Sequence, residues 1–240
     1  MISHDTHLEI GSLLFEGLDQ IDLTGPFEVL SRIPNSTYRI YATTLSPLCD
    51  IRGLRLTADA MLADAPQLDV LHVPGGFGQE AVMDDAAVLD WVRHQAAGAV
   101  CVLSVCTGAL ICGAAGLLKG RRATTHWAAI HLLPYFGAIP VNQRVVVDGD
   151  MVFAGGVTAG IDGALTVAAK LRGDEAAQII QLSMQYAPEP PFNSGTPETA
   201  PAAVLAAARQ SSQAITTKRE ATAHRVAQRL GIALPAVAGA

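Results

Sequence analysis

Ala99-Val100-Cys101-Val102-Leu103-Ser104-Val105-Cys106-Thr107-Gly108-Ala109-Leu110 changes character halfway along. Through Val105 it is β-branched and apolar, the composition of a parallel strand buried on both faces. From Thr107 to Ala115 it is small, Gly/Ala-rich and compatible with a helix. The switch falls on a cysteine followed by Thr-Gly, which predicts a sharp strand-to-helix turn holding the Cys106 thiol at a helix N-terminus. Unpaired amides and the helix dipole favour thiolate there, so the sulfur is expected to be activated without a neighbouring base. This is the layout of a nucleophile elbow, with sulfur replacing a hydroxyl. An intracellular cysteine is more often a small buried hydrophobe. Placement at the carboxyl end of a central strand, where open α/β sheets bind ligands, favours the reactive reading for Cys106.

Working outward, Leu8 to Phe15 reads as a first strand, followed by a loop from Glu16 to Asp22. A helix is predicted from Thr24 through Ile33, with Pro26 in its first turn. Tyr38 to Leu45 is a second strand, and Ile51 to Thr57 a weak hairpin bent at Gly53. Asp69 to Val73 is a short buried strand that exits through Pro74-Gly75-Gly76. Asp84 to Ala97 is an amphipathic helix, and Trp127 to Phe136 a helix ended by Gly137. Asp148-Gly149-Asp150 joins two strands as a hairpin, and helices follow from Thr158 to Leu171 and from Gly173 to Tyr186. The β-α-β alternation predicts an α/β fold: a mostly parallel, doubly wound sheet with helices on both faces. Residues 1–240 read as one domain, with a core over 8–186. A Pro-rich strap from Ala187 to Pro201 and one or two Ala-rich helices from Ala202 to Leu230 follow it. Residues beyond Ile232 are expected to be loosely held.

Composition limits the function classes. Half of the 240 residues are hydrophobic and 16% are charged, and the mean hydropathy is +0.31. The net charge of −6 and scattered basic residues argue against a nucleic-acid surface. Gly98 to Leu118 carries no charge and is about long enough to span a bilayer. Its change from strand to helix character and its four glycines favour a buried strand–helix unit instead. Met1 to His7 lacks the apolar core of a signal peptide. Four cysteines without metal-like spacing predict free thiols in a reducing cytoplasm, with no metal site.

Asp22 sits in the otherwise apolar Ile21-Asp22-Leu23-Thr24-Gly25-Pro26, where it is either a reactive carboxylate or the N-cap of the next helix. Thr107 either fills the first turn after the elbow or orients a carboxylate or water beside the sulfur. Gly75 and Gly76 form either an ordinary turn or a pair of amides aimed at developing negative charge. Cys101 and Cys112 read as core residues, Cys49 as a loop thiol, and His72 and His126 as structural.

The string SVCTGALICGAAGLLKGRRATTHW, with IDLTGP before it, VPGG between and AGGVTAGIDGALTVAA after it, resembles the ThiJ/PfpI superfamily. Within it the chain is most similar to the isonitrile hydratases, from Leu8 through the tail YAPEPPFNSGTPETAP. The resemblance implies a flavodoxin-like sandwich, a homodimer, and an active site near the subunit interface. It sets Cys106 in the nucleophile's place, Asp22 in that of the essential acid, and Thr107 beside the cysteine. Asp rather than Glu at position 22 points to the hydratase branch. Thr107, where protease-like members carry His, disfavours peptidase chemistry.

The implied reaction adds water to an isonitrile through a Cys106 thioimidate, with Asp22 as acid and then base and no cofactor, and yields an N-substituted formamide. A glyoxalase acting on 2-oxoaldehydes would share the nucleophile. A non-enzymatic sensing module is a reading from another class, and the absence of a basic recognition helix after Tyr186 weighs against it.

Overall fold

The computed structural model describes residues 2–233, and the tail beyond Ile232 lies almost wholly outside them. The apolar run Leu8–Leu13 forms β1, and α1 follows over Gln20–Leu30. β2 is Ser36–Ala42, β3 (Leu48–Cys49) pairs with β4 (Arg55–Leu56), and β5 is Ala60–Met61. β6 (Val70–Val73) leads to α2 (Gln79–Val82) and α3 (Ala86–Gly98). β7 (Cys101–Val105) turns directly into α4 (Gly108–Ala114). β8 (Arg122–Ala123), a 3-10 segment over Trp127–Phe136, β9 (Ile139–Pro140), β10 (Val145–Asp148) and β11 (Met151–Ala154) come next. The order closes with α5 (Ala159–Arg172), α6 (Asp174–Ser183) and α7 (Ala202–Leu230).

Seven strands make one sheet in the order β10-β11-β7-β6-β1-β2-β5, parallel except for the β10–β11 hairpin. Alternate side chains of each strand enter opposite cores, as the two-residue strand period requires. Leu13, Leu71 and Val102 join Val88, Leu89 and Leu110 of α3 and α4 on one face. Ile10, Val70 and Leu103 join Val29 and Val167 of α1 and α5 on the other. Each such buried side chain stabilises the fold by about 1.5–3 kcal/mol relative to exposure. This is the mostly parallel, doubly wound sheet predicted from the β-α-β pattern, and the flavodoxin-like sandwich that the resemblance implies. Among the described residues, no helix is long and apolar enough to cross a membrane.

The sheet order also positions the site. From β1 the chain runs to β2 on one side and later to β6 on the other, so the order reverses at β1. The carboxyl ends of β1, β6 and β7 therefore border one crevice, the usual ligand position of an open parallel sheet.

Several local expectations need correction. The helix predicted from Thr24 begins at Gln20, so Pro26 lies inside it rather than in its first turn. The weak hairpin is shifted: its strands are β3 and β4, closed where Asp50 Oδ1 accepts the Arg52 and Leu54 amides at 2.7 and 2.8 Å. That places Cys49 on a short strand instead of a loop. Trp127–Phe136 is 3-10 rather than α-helical, with Pro134 removing one donor and left-handed Gly137 (φ 72°) ending the segment as predicted. The Ala-rich C-terminal segment is a single helix of 29 residues.

Candidate active site

β7 is buried along its whole length and runs directly into the elbow. Cys106 has φ 54°, a left-handed conformation that non-glycine residues rarely adopt. The turn is held from both sides: the Cys106 amide donates to Ala154 O at 2.8 Å, and Thr125 Oγ1 donates to Cys106 O at 2.6 Å. Gly108 lets α4 press against the end of β6, since a Cβ there would lie 2.1 Å from Val73 O. Cys106 is 6% exposed and lines a cavity of about 80 Å³ walled also by Phe77, Thr107, His126, Val157 and Arg219. That cavity shares His126 and Val157 with a broader cleft of about 540 Å³, which contains no cysteine.

Asp22 lies in the first turn of α1 and is fully buried. It is not the N-cap: Asp19 caps the helix by accepting the Ile21 amide at 3.2 Å. The Asp22 carboxyl faces inward instead. Oδ2 accepts the Gly75 amide at 3.0 Å, and Oδ1 is buried with no hydrogen bond of ordinary geometry. Pro26 leaves the Asp22 carbonyl without its helical donor, and that carbonyl faces the ring of His72. His72 is fully buried, its Nδ1 lies 2.6 Å from Ser12 Oγ, and burial pulls its pKa down to about 3, so it is a neutral structural group.

The carboxyl and the thiol act on each other directly. Burial first, then the charge of Asp19, pushes the Asp22 pKa up from 3.8 to about 7, against hydrogen bonds from Cys106 and Gly75. Burial and the Asp22 charge together push the Cys106 thiol well above its ordinary range, and the Thr107 amide and Arg219 oppose them. The expectation of a sulfur ionised by helix position alone is therefore overturned. α4 is only seven residues long, and burial outweighs its N-terminal amides. The two acid groups titrate as a pair, and the proton between them is the quantity the site controls.

The glycine loop is also used differently from the expectation. Gly75 and Gly76 do not offer free amides to an incoming anion, because the Gly75 amide holds Asp22 and the Gly76 amide donates to Thr107 Oγ1 at 3.1 Å. Thr107 Oγ1 also lies 3.2 Å from Gly76 O, to which it donates, so the threonine fastens the elbow to the loop rather than to the carboxylate. Gly75 fits only without a side chain, since a Cβ would sit 2.5 Å from the Thr107 amide and 2.9 Å from Asp22 Oδ2. His126 accepts the Ala128 amide at 3.3 Å, and burial pulls its pKa down to about 4. It faces the cavity as a neutral ring.

Cys101 and Cys112 are buried away from the site, with burial raising their pKa values to about 11 and about 12. Among the described residues, no group of three or more His, Cys, Asp or Glu is gathered to hold a metal ion.

The sequence-based reading missed Arg219. It projects from α7 with 4% exposure, and its guanidinium donates to Gly76 O at 2.7 Å and Gln79 Oε1 at 2.9 Å. A signal was present: Arg219, Thr222, Ala223, Val226 and Ala227 are the buried face of α7, so one arginine occupies an otherwise small, largely apolar stripe at helical spacing.

With this geometry described, comparison with known proteins is direct. The DJ-1/PfpI family pattern matches residues 10–170. The chain is 49% identical over 225 residues to an isonitrile hydratase of Pseudomonas putida, covering 94% of this chain and 99% of that one. A solved ThiJ/PfpI family protein from Pseudomonas syringae superposes with a TM-score of 0.88 at 39% identity, covering 91% of each chain. A helix-turn-helix-type transcriptional regulator of Pseudomonas aeruginosa is 29% identical over 72% of this chain, which spans 52% of the regulator. The elbow after β7, the acid after β1 and these near-full-length matches agree: the chain belongs to the DJ-1/PfpI family.

Proposed function

We propose that the protein is an isonitrile hydratase, converting R–N≡C and water into the N-substituted formamide R–NH–CHO. The observation that carries this reading is a single cavity-facing thiol coupled to a buried carboxyl whose pKa is raised to about 7. The near-full-length similarity to the Pseudomonas putida isonitrile hydratase supports the choice of substrate.

In the proposed chemistry, the pair enters with one proton, which passes from the Cys106 sulfur to Asp22, so that the reacting form is a thiolate beside a carboxylic acid. The sulfur attacks the terminal carbon of the isonitrile while the Asp22 proton passes to that carbon, leaving a Cys106 thioimidate and a carboxylate. Asp22 then takes a proton from water as hydroxide adds to the carbon, and hands it to the nitrogen. It next takes the proton of the new hydroxyl group as the C–S bond breaks. Formamide leaves, and the thiolate and carboxylic acid are restored. A carboxyl poised near neutral pH suits both donation and acceptance. Thr107 holds the elbow in register, and Gly75 orients the acid.

The full reading is a one-domain homodimer in the cytoplasm. The four free cysteines suit a reducing compartment.

Formamide formation from a panel of alkyl and aryl isonitriles tests the reaction, with methylglyoxal as the competing substrate of the glyoxalase reading. The expected result is formamide from the isonitriles, no turnover of methylglyoxal, and loss of activity in Cys106→Ala. Full activity in that variant would overturn the mechanism.

A further inference from the structure

Arg219 lies outside the stretch that matches the family, on α7. Its guanidinium is buried, yet among the described residues no carboxylate lies within ion-pair distance of it. Its hydrogen bonds go to neutral acceptors: Gly76 O, Gln79 Oε1 and, at 3.5 Å, Thr107 Oγ1. An arginine stays protonated in a protein, and a buried cation without an anion is costly. Arg219 also walls the cavity onto which Cys106 opens.

We propose that Arg219 is the fixed cation that retains one negative charge on the Cys106–Asp22 pair, held at its post by the Gly76 carbonyl and Gln79. With two acid groups and one cation, the site is neutral when the pair carries a single proton. The other charged or titratable groups around Arg219 do not take this role. His126 is neutral; Glu80 acts on Arg219 from beyond ion-pair distance, accepts from Thr222 Oγ1 at 2.5 Å and does not line the cavity; and Asp19, whose own pKa burial raises, caps α1. Arg219 thus acts as a positioning residue: it sets how many protons the pair holds, and it fastens the loop whose Gly75 amide orients Asp22.

The proposal rests on Cys106 and Asp22 being the reacting pair, not on the identity of the substrate. It is therefore tested without isonitrile, by the pH dependence of Cys106 alkylation with iodoacetamide in the full-length protein. In Arg219→Met, the first deprotonation of the pair should move to higher pH by about one unit or more, so alkylation on the acid limb falls about tenfold. Arg219→Lys keeps the charge and should hold the profile near wild type, even where Lys makes fewer hydrogen bonds.

Arg225→Ala is the structural control. Arg225 ties α7 to Asp84 from the surface, so its loss loosens the helix without touching the pair. It should leave the alkylation profile in place. An Arg219→Met profile that superposes on wild type refutes the proposal. So does an equal shift in Arg225→Ala, which would assign the effect to helix docking. If Arg219→Met does not fold, Arg219→Lys decides: a profile displaced by a unit or more despite the retained charge refutes it. If wild-type alkylation behaves as expected while no isonitrile is hydrated, the proposed reaction fails and the charge assignment stands.

Discussion

Replacing Asp22 by Asn should make the protein more stable at pH 8 and nearly inactive. Burial raises the carboxyl from an ordinary 3.8 to about 7. At about 1.4 kcal/mol per pH unit, that rise corresponds to about 4 kcal/mol of differential stability. The sign follows from proton binding. Below pH 4 the group is neutral in both folded and unfolded chains, so it carries no ionisation penalty. Between about pH 4 and 7 the unfolded chain releases its proton while the folded chain holds it, and stability falls. Above about 7 both are ionised and the loss is complete. Asn is neutral throughout, and its side-chain carbonyl can still accept the Gly75 amide. The Asp22→Asn variant should therefore match wild type near pH 4 and exceed it by about 3–4 kcal/mol at pH 8. Urea unfolding at both pH values, with slopes compared to confirm equal exposure, measures the difference. A gap that stays constant from pH 4 to 8 would refute the assignment of a buried carboxyl with raised proton affinity.

Three further outcomes follow from the elbow. Cys106→Gly and Cys106→Ala should both be inactive, but the glycine variant should be about 1 kcal/mol more stable, because only it relieves φ 54°; thermal unfolding checks the order. Gly108→Ala should cost about 3 kcal/mol or more, read as loss of soluble yield or of melting temperature, since its Cβ would meet the Val73 carbonyl at 2.1 Å. Thr107→Val removes the hydroxyl that receives the Gly76 amide and should cost about 1–3 kcal/mol, with a lowered kcat on isonitriles; a kcat equal to wild type would separate the loop fastening from turnover.

The stability prediction has a functional corollary. A carboxyl buried to about 7 and a cysteine held at positive φ both oppose folding. Their presence together at one crevice is expected of a reactive site, where local strain and perturbed ionisation accompany function.

How much of this was legible beforehand can be argued residue by residue. The run from Ala99 to Val105 read as a strand buried on both faces, which the structure forms over Cys101–Val105, and the Cys-Thr-Gly that follows marked its end. Both features depend on neighbours in the chain, and both appear where expected. Asp22 stood out because a carboxylate in an apolar stretch needs a reason, although its helix starts four residues earlier than the pattern predicted. The cap residue Asp19 was indistinguishable from Asp22 without coordinates. The use of the Gly75 and Gly76 amides was not readable either, since it depends on what β1 and β7 bring beside them.

Local pattern by itself determined the doubly wound sheet, the elbow and the candidate thiol, because strand periodicity and turn chemistry are short-range properties of the chain. Tertiary structure alone decided the protonation of that thiol. Burial, the facing Asp22, and an arginine 113 positions further along the chain are brought together only when the sheet order folds the ends of β1, β6 and β7 against α7. Desolvation and charge act through space over a few ångströms, so no spacing in the sequence can report them.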